Sequence, residues 1–409
     1  MSSTRRRLLA AAGTSLAAVA GCTTLERARR WVDDERRDPP ERRVDPGWTP
    51  DAGTWPGWRY GPANTGHNPN ASPPDAPPAL AWTRDLEDGV NRLVVAEGRV
   101  LVSTGREVAA LDPADGTVVW RRGVDGYRAI RYVDGRLYEL GRETLWARTP
   151  DDDLVWRLDH DEWLEDFREW NGYLFVGTVG TSGGSLTVHA DTGDVVREHD
   201  EVFRAAATDG QRLYAGIRTR VFAYDPAGRA LEERWSTDAI GYSIYGSPVV
   251  GGDSLHVPEN ARPARDGPTG RLSRYGRDGE RRTSEAFDQT PMGVAVADGA
   301  VFVGTAEVSV DALGSDGRLV ALAADGTRRW EVDLDGSAAA PVLADGVVYA
   351  GPFANDDVPL TARDAESGEE LWRREAAVSA RETVDSVRLA AAGDTLYVGD
   401  ANSVRAFRP

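Results

Sequence analysis

The chain of 409 residues has one cysteine and no lysine, so all 48 basic residues are arginine. A lone cysteine excludes an intramolecular disulfide, a cysteine-rich zinc site and an iron–sulfur cluster. Against 66 acidic residues the arginines leave a formal charge of −18. The chain therefore lacks the basic footprint that broad nucleic-acid binding requires. Membrane-spanning runs are missing too. Leu8 to Ala20 is apolar or small over 13 residues, short of the roughly 20 a spanning helix needs. No other segment is long and apolar enough. The five histidines, His67, His160, His189, His199 and His256, show no zinc-ligand spacing, and neither a G-x-S-x-G nor a P-loop occurs. What remains is an ordinary globular composition, 41% hydrophobic with 44 glycines, enough to bury a sizeable core.

The N-terminus reads as an address. Arg5 and Arg6, within Thr4-Arg5-Arg6-Arg7-Leu8-Leu9, fit a twin-arginine export signal, and Leu8 to Ala20 fits its apolar region. Val19-Ala20-Gly21-Cys22 resembles a lipobox, which makes Cys22 the expected lipidation site and membrane lipid an expected partner. The alternative is a buried N-terminal helix. On the first reading residues 1–21 are a signal peptide, 22–54 a charged, flexible linker and 55–409 the folded domain. The protein is then exported and held on the outer side of the cytoplasmic membrane. Losing Arg5, Arg6 and Arg7 takes the charge from −18 to −18 − 3 = −21. Strong acidity, absent lysine and this signal together resemble haloarchaeal secreted lipoproteins. In molar salt a Debye length of about 3 Å screens such a surface while its charge keeps it soluble.

A repeat runs through the rest. Turn dipeptides recur at Glu97-Gly98, Asp134-Gly135, Asn171-Gly172, Asp209-Gly210, Gly252-Asp253, Asp298-Gly299, Asp345-Gly346 and Gly393-Asp394, spaced 37, 37, 38, 43, 46, 47 and 48 residues apart. Short alternating strands at a period of about 40–50 residues indicate a β-propeller; a set of β-sandwiches is the alternative. Each repeat reads as four antiparallel strands, the outermost carrying a tryptophan at Trp82, Trp120, Trp156, Trp235, Trp330 or Trp372. Arg197 and Thr283 stand where two more are expected. These tryptophans are expected to dock neighbouring blades, a structural role. The last repeat ends without an outer strand, so Ala81 to Leu86 is expected to supply it. The result is an all-β, eight-bladed propeller of four-stranded antiparallel blades, its ring closed by an N-terminal strand joining the last blade.

Residues Ala110 to Trp120 and Ala362 to Trp372 match A-x-D-x-x-x-G-x-x-x-W. This resembles the tryptophan-docking motif of pyrroloquinoline quinone (PQQ)-type propellers. The segment Trp58 to Pro69 resembles the opening of secreted haloarchaeal proteins with such repeats. That family includes quinoprotein dehydrogenases, the propeller lipoprotein of the bacterial outer-membrane assembly machine, and sensor or scaffold domains. In its enzymes PQQ lies over the central channel with calcium or a rare-earth ion, held by a carboxylate and often an asparagine, with an aspartate as base. A vicinal disulfide often covers the cofactor, and Cys22 alone cannot form one.

The carboxylate–amide groups Glu259-Asn260, Asn355-Asp356-Asp357 and Asp400 with Asn402 are the candidate cation ligands, none with EF-hand spacing. The long second-to-third-strand connections and the blade-to-blade connections fall on one face, where a partner is expected to bind. Tyr127, Arg128, Trp163, Tyr242, Tyr245, Glu259, Asn260, Asp356 and Arg381 mark that candidate binding face. The leading expectation is a non-enzymatic, lipid-anchored scaffold that binds a protein or extracellular ligand, with no cofactor and no nucleic acid. The alternatives are a PQQ- and calcium-dependent oxidoreductase and a polysaccharide or metabolite sensor. Replacing Arg5 and Arg6 with Lys is expected to abolish export, and Cys22→Ser to release the exported protein from membranes; fractionation followed by immunoblotting checks both.

Overall fold

The computed structural model describes residues 48–124, 126, 129–179, 184–200, 206–227, 229–237, 242–244, 246–261, 269–297, 299–307, 316–351, 359–374 and 387–409. Arg5, Arg6 and Cys22 lie outside them, as do Tyr127, Arg128, Tyr245, Asp356 and Arg381 and most of the long second-to-third-strand loops. Every regular element among the described residues is a β-strand, and the strands form eight antiparallel sheets arranged as a propeller. Blade one shows the pattern: inner strand Arg92–Ala96, second strand Arg99–Ser103, third strand Glu107–Leu111 and outer strand Val118–Gly123. Blades two to seven follow in chain order over residues 129–159, 163–199, 207–236, 242–287, 290–334 and 342–374. The inner strand of blade five is split into Tyr242–Ile244 and Val249–Gly251.

The ring closes as the sequence indicates. Ala79–Asp85 pairs antiparallel with Ser403–Arg408 and becomes the outer strand of blade eight, whose other strands are Arg388–Ala392 and Thr395–Gly399. A free C-terminal edge would offer a row of unpaired backbone groups; this pairing covers it.

One motif holds each blade to the next. In six blades a cross-strand row reads tryptophan, alanine, large residue from the outer strand inward. The rows are Trp120–Ala110–Leu101, Trp156–Ala147–Tyr138, Trp235–Ala223–Tyr214, Trp330–Ala321–Phe302, Trp372–Ala362–Tyr349 and Trp82–Ala406–Tyr397. Alanine leaves room for the indole to lie over the sheet and meet the inner ring. Tyr138 and Trp156, for example, are 6.1 Å apart, tilted by 44°. The outer face of the indole then covers the third-to-outer turn of the following blade. Its N–H donates to a turn carbonyl there: Trp82 to Pro113 at 2.8 Å, Trp156 to Ala190 at 2.7 Å and Trp235 to Arg277 at 2.9 Å. The turn glycine must be bare. A Cβ on Gly193 would sit 2.5 Å from the Trp156 ring, and the backbone there is left-handed (φ 76°). Blade two has Asp152 at this position (φ 74°), and Arg122 reaches it across the interface at 2.9 Å. Trp372 has no eighth repeat turn ahead of it, and donates instead to Pro74, just before the closing strand.

Two substitutions separate the indole contact from backbone strain. Gly193→Ala and Gly346→Ala both place a side chain at positive φ, but nothing lies within 4 Å of a Cβ on Gly346. Both should lose about 1–2 kcal/mol to left-handed strain. Gly193→Ala is expected to lose about 1–3 kcal/mol more, the usual cost of overpacking, read from denaturant midpoints in high salt.

Candidate functional site

The leader from Trp48 to Pro78 is the part of the chain that the repeat does not explain. Its residues 52–68 make one circuit of the channel mouth on the side of the tight first-to-second-strand turns. Inner strands are sheet edges, with unpaired N–H groups facing the axis. The leader's carbonyls accept from them in ring order: Gly393 of blade eight to Ala52 at 2.6 Å, Val95 of blade one to Trp55 at 2.9 Å, and Tyr132 of blade two to Pro56 at 2.8 Å. Thr208 of blade four then donates to Pro62, Val250 of blade five to Ala63, Val296 of blade six to Thr65 and Leu343 of blade seven to Gly66, all at 2.8–2.9 Å. Blade three joins through a side chain, Arg168 donating to Asn64 Oδ1 at 2.6 Å. His67–Asn68 finishes as a short strand parallel to blade seven, and the Asn68 amide returns to blade eight at the Ala391 carbonyl, 2.9 Å away.

The sequence makes so tight a turn feasible. Tyr60, Gly61, Asn64 and Gly66 all have φ between 57° and 65°, a region glycine and asparagine enter at least cost. Asn64 is fully buried and its Nδ2 donates to the carbonyls of Ala206 (2.8 Å) and Pro248 (3.1 Å). Pro50 to Thr54, assigned above to the linker, pack with this plug; Trp55 is 1% exposed.

Beyond the plug the channel collects positive charge. Arg388, Arg92, Arg131 and Arg168 come from the inner strands of blades eight, one, two and three, and Arg59 from the leader. The Arg92 and Arg388 guanidiniums lie over the Trp58 ring, 4.9 and 4.6 Å from its centroid. Arg59 is buried and donates to the carbonyls of Pro341 (3.0 Å) and Val294. Burial pulls Arg59 and Arg168 down to about 9 and Arg92 to about 10. Asp166 pairs with Arg131 at 3.3 Å. Burial would raise this carboxyl, but Arg131 and Arg168 outweigh it and hold it below the usual range. Five arginines and one aspartate in a protein of charge −18 form a site suited to an anion.

Of the carboxylates singled out from the sequence, Glu259 and Asp400 lie elsewhere, and Asp356 and Asp357 are outside the described residues. Glu259 is 0% exposed inside blade five, where Arg271 Nε donates to it at 2.7 Å. Burial raises its carboxyl, opposed by Arg271. Asn260 is half-buried beside it on the same strand. Asp400 accepts the backbone N–H groups of Asn402 and Ser403 and pairs with Arg405 at 3.3 Å, which makes it a turn cap. Among the described residues no three His, Cys, Asp or Glu side chains group as metal ligands would. The arginines would suit a carboxylate-bearing group. Trp163 is 42% exposed with Arg142 over its ring at 4.5 Å, and Tyr242 begins the short first piece of the blade-five inner strand. Sequence reasoning missed the plug and the arginines. The excess of glycine, proline and asparagine between Gly57 and Pro69 was the available signal.

Asn64→Ala tests the plug. It strips a bond from buried Arg168 and from two buried carbonyls, at about 1–3 kcal/mol for each group left unsatisfied, and it places alanine at positive φ. The expected loss is about 3–5 kcal/mol in equilibrium unfolding. Asn64→Gly should recover about 1 kcal/mol by relieving only the backbone.

Comparison with known proteins places the fold. The crystal structure of BamB from Moraxella catarrhalis superimposes with a TM-score of 0.62 at 15% identity, covering 81% of this chain and 100% of that one. A europium-containing methanol dehydrogenase gives 0.66 at 13% identity, covering 93% and 100%. Saccharomyces cerevisiae Sqt1 gives 0.61 at 9% identity, covering 80% and 98%. At such identities the likeness is one of fold. No curated protein matches the chain in sequence. A family model does, over residues 75–279 and 268–409. The chain thus belongs to the PQQ-like repeat family described as outer membrane protein assembly factor BamB.

Proposed function

We propose that this chain is a lipid-anchored, extracytoplasmic propeller that binds a protein partner and carries out no chemistry of its own. The observation that carries this reading is on the rim. Large apolar residues are exposed on the outer strands of four consecutive blades: Leu371 (37%) of blade seven, Leu80 (44%) of blade eight, Val119 (45%) of blade one, and Leu154 (54%) and Val155 (40%) of blade two. Val119, Val155 and Leu371 each precede a docking tryptophan. The same position holds exposed Arg234, Arg282 and Arg329 in blades four, five and six. At this position one arc of the rim is apolar and the opposite arc charged, the asymmetry of a surface with a partner on one side. The family's description as an assembly factor supports the same reading, and the twin-arginine and lipobox patterns around Arg5, Arg6 and Cys22 support its location.

A second reading rests on the channel. Trp58 flanked by Arg92 and Arg388, with Arg131 and Arg168 close by, would suit a planar polycarboxylate such as PQQ, and one structural neighbour is a methanol dehydrogenase. When bound, PQQ would supply two-electron oxidation. In this chain the arginines would orient its carboxylates.

The test compares the intact lipoprotein with a Val119→Ser, Val155→Ser, Leu371→Ser variant, each crosslinked on cells and purified from membranes. A protein captured by the native chain and reduced at least tenfold with the variant, at unchanged thermal midpoint, is the expected result. Equal capture by both would overturn the rim as the binding surface. Calorimetry with PQQ and Ca²⁺ in molar KCl addresses the second reading: stoichiometric micromolar binding, about −8 kcal/mol, together with dye-linked turnover would replace the scaffold by an oxidoreductase.

A further inference from the structure

Two blades break the tryptophan–alanine–large-residue row, and they do so differently. In blade three the row is Arg197–Thr187–Phe175. There Thr187 takes over the indole's task, its hydroxyl donating across the interface to the Arg229 carbonyl at 3.0 Å, with His199 Nε2 2.8 Å from the Thr187 hydroxyl oxygen. In blade five the row is Thr283–Arg274–His256, polar at all three positions, and the joint with blade six is left hollow.

The hollow measures about 390 Å³, within the roughly 300–1,000 Å³ of small-molecule sites. It is walled by Thr283, Arg274 and His256 of the broken row and by apolar Leu272, Val301 and Leu322. Its far side is the blade-six turn that an indole would otherwise cover. Gly326 is bare there (φ 92°), and a Cβ on it would come 3.2 Å from Thr283 Oγ1. The turn has the same hydrogen-bond pattern as the one that receives Trp235: Gly326 to Ala323 corresponds to Gly279 to Gly276, so Ala324 corresponds to Arg277. The carbonyl of Ala324 thus occupies the place of an indole acceptor and takes no such bond from blade five among the described residues. At the lip Arg328 donates to Glu285 across the two blades at 2.6 Å.

His256 is the second observation. It is 4% exposed, and its imidazole makes no hydrogen bond among the described residues. Burial, with Arg274 nearby, pushes it down to about 4. It is therefore neutral at ordinary pH and presents one donor and one acceptor. Arg274 is steered by Ser254 at 2.8 Å and Asp253 at 3.3 Å. An imidazole that faces a hollow and bonds to no described residue keeps its donor and its acceptor for a ligand.

We propose that the joint between blades five and six is a binding site for a planar aromatic molecule of indole size carrying a polar ring atom or substituent. The ring enters the joint beside Thr283, which itself rests against Gly326, and lies between Leu272, Val301 and Leu322. Its polar atom meets His256, and a ring N–H can reach the Ala324 carbonyl. The occupant is argued from the molecule itself, because the walls retain the shape that an indole fills elsewhere in the ring while the side chain that would fill it is missing. The site is separate from the channel and from the rim arc on blades seven, eight, one and two.

The experiment is a ¹⁹F NMR titration of the folded protein with 5-fluoroindole in molar KCl. Saturable, one-to-one binding to the native chain is expected. Thr283→Trp should fill the hollow, weaken binding at least tenfold and leave the thermal midpoint equal or higher. His256→Leu keeps the volume, removes the polar partner and should weaken binding at least fivefold. No saturable binding to the native protein overturns the proposal, as does unchanged affinity in a cooperatively folding Thr283→Trp protein. Should Thr283→Trp fail to fold, His256→Leu decides: a fivefold loss supports the site and unchanged affinity overturns it.

Discussion

The structure depends on one contact, an indole laid flat on a bare glycine turn. A four-stranded blade is a small sheet with two faces, and neither can be left to water over its full width. Trp156 closes its face by packing on Tyr138 behind and Gly193 ahead, and its N–H is satisfied by the Ala190 carbonyl. Large aromatic area is buried and the indole N–H is satisfied. Burying some 150–250 Å² per tryptophan corresponds to about 4–6 kcal/mol gross per joint at roughly 25 cal/mol/Å², an upper bound set by an extended unfolded chain. The contact also fixes sequence elsewhere: alanine on the third strand for clearance, glycine or a left-handed residue in the next turn, an aromatic or leucine on the second strand. Where the indole is lost, something must follow. Blade three substitutes a hydroxyl bond, and blade five leaves a space.

The second constraint is the inner edge. Eight inner strands face a common axis with backbone donors that have no strand to pair with. The leader answers this mainly with carbonyls, one per blade for most of the ring, and with the side chains of Asn64 and Asn68. It also needs a backbone that can wind, which Tyr60, Gly61, Asn64 and Gly66 provide. The same segment then runs out past Pro74, accepts the Trp372 indole and becomes the outer strand of blade eight. One stretch of chain therefore seals the axis and closes the ring. This couples the N-terminal leader to the C-terminal strand through almost every blade.

Sealing one mouth and closing the ring leave three surfaces on which function can rest: an arginine-rich channel, an apolar rim arc and a hollow joint. They differ in chemistry. The channel has buried cations around Trp58 and suits an anion. The rim is exposed and aliphatic and suits a protein. The joint is narrow, half polar, and shaped by the absence of one ring. Nothing couples them beyond the rigid scaffold, so each can be changed by substitution without touching the others.

The sequence alone determined the architecture, because a propeller is built by local repetition. Turn dipeptides, alternating strands and the Trp motif are short-range features, and the ring closure followed from counting strands at the two ends. It also marked Thr283 and Arg197 as breaks in the pattern. Only the tertiary structure decided what those breaks and the leader mean. The arginines converge because successive inner strands, some 40 residues apart, meet at one axis, and no spacing in one dimension reports that. The leader binds mainly through backbone carbonyls, which carry no residue signature. Thr283, Arg274 and His256 lie on three different strands and become one row only through the register of blade five. The same logic hid the fate of Glu259, which reads as a cation ligand in the sequence and is committed to Arg271 on the neighbouring strand once the sheet forms.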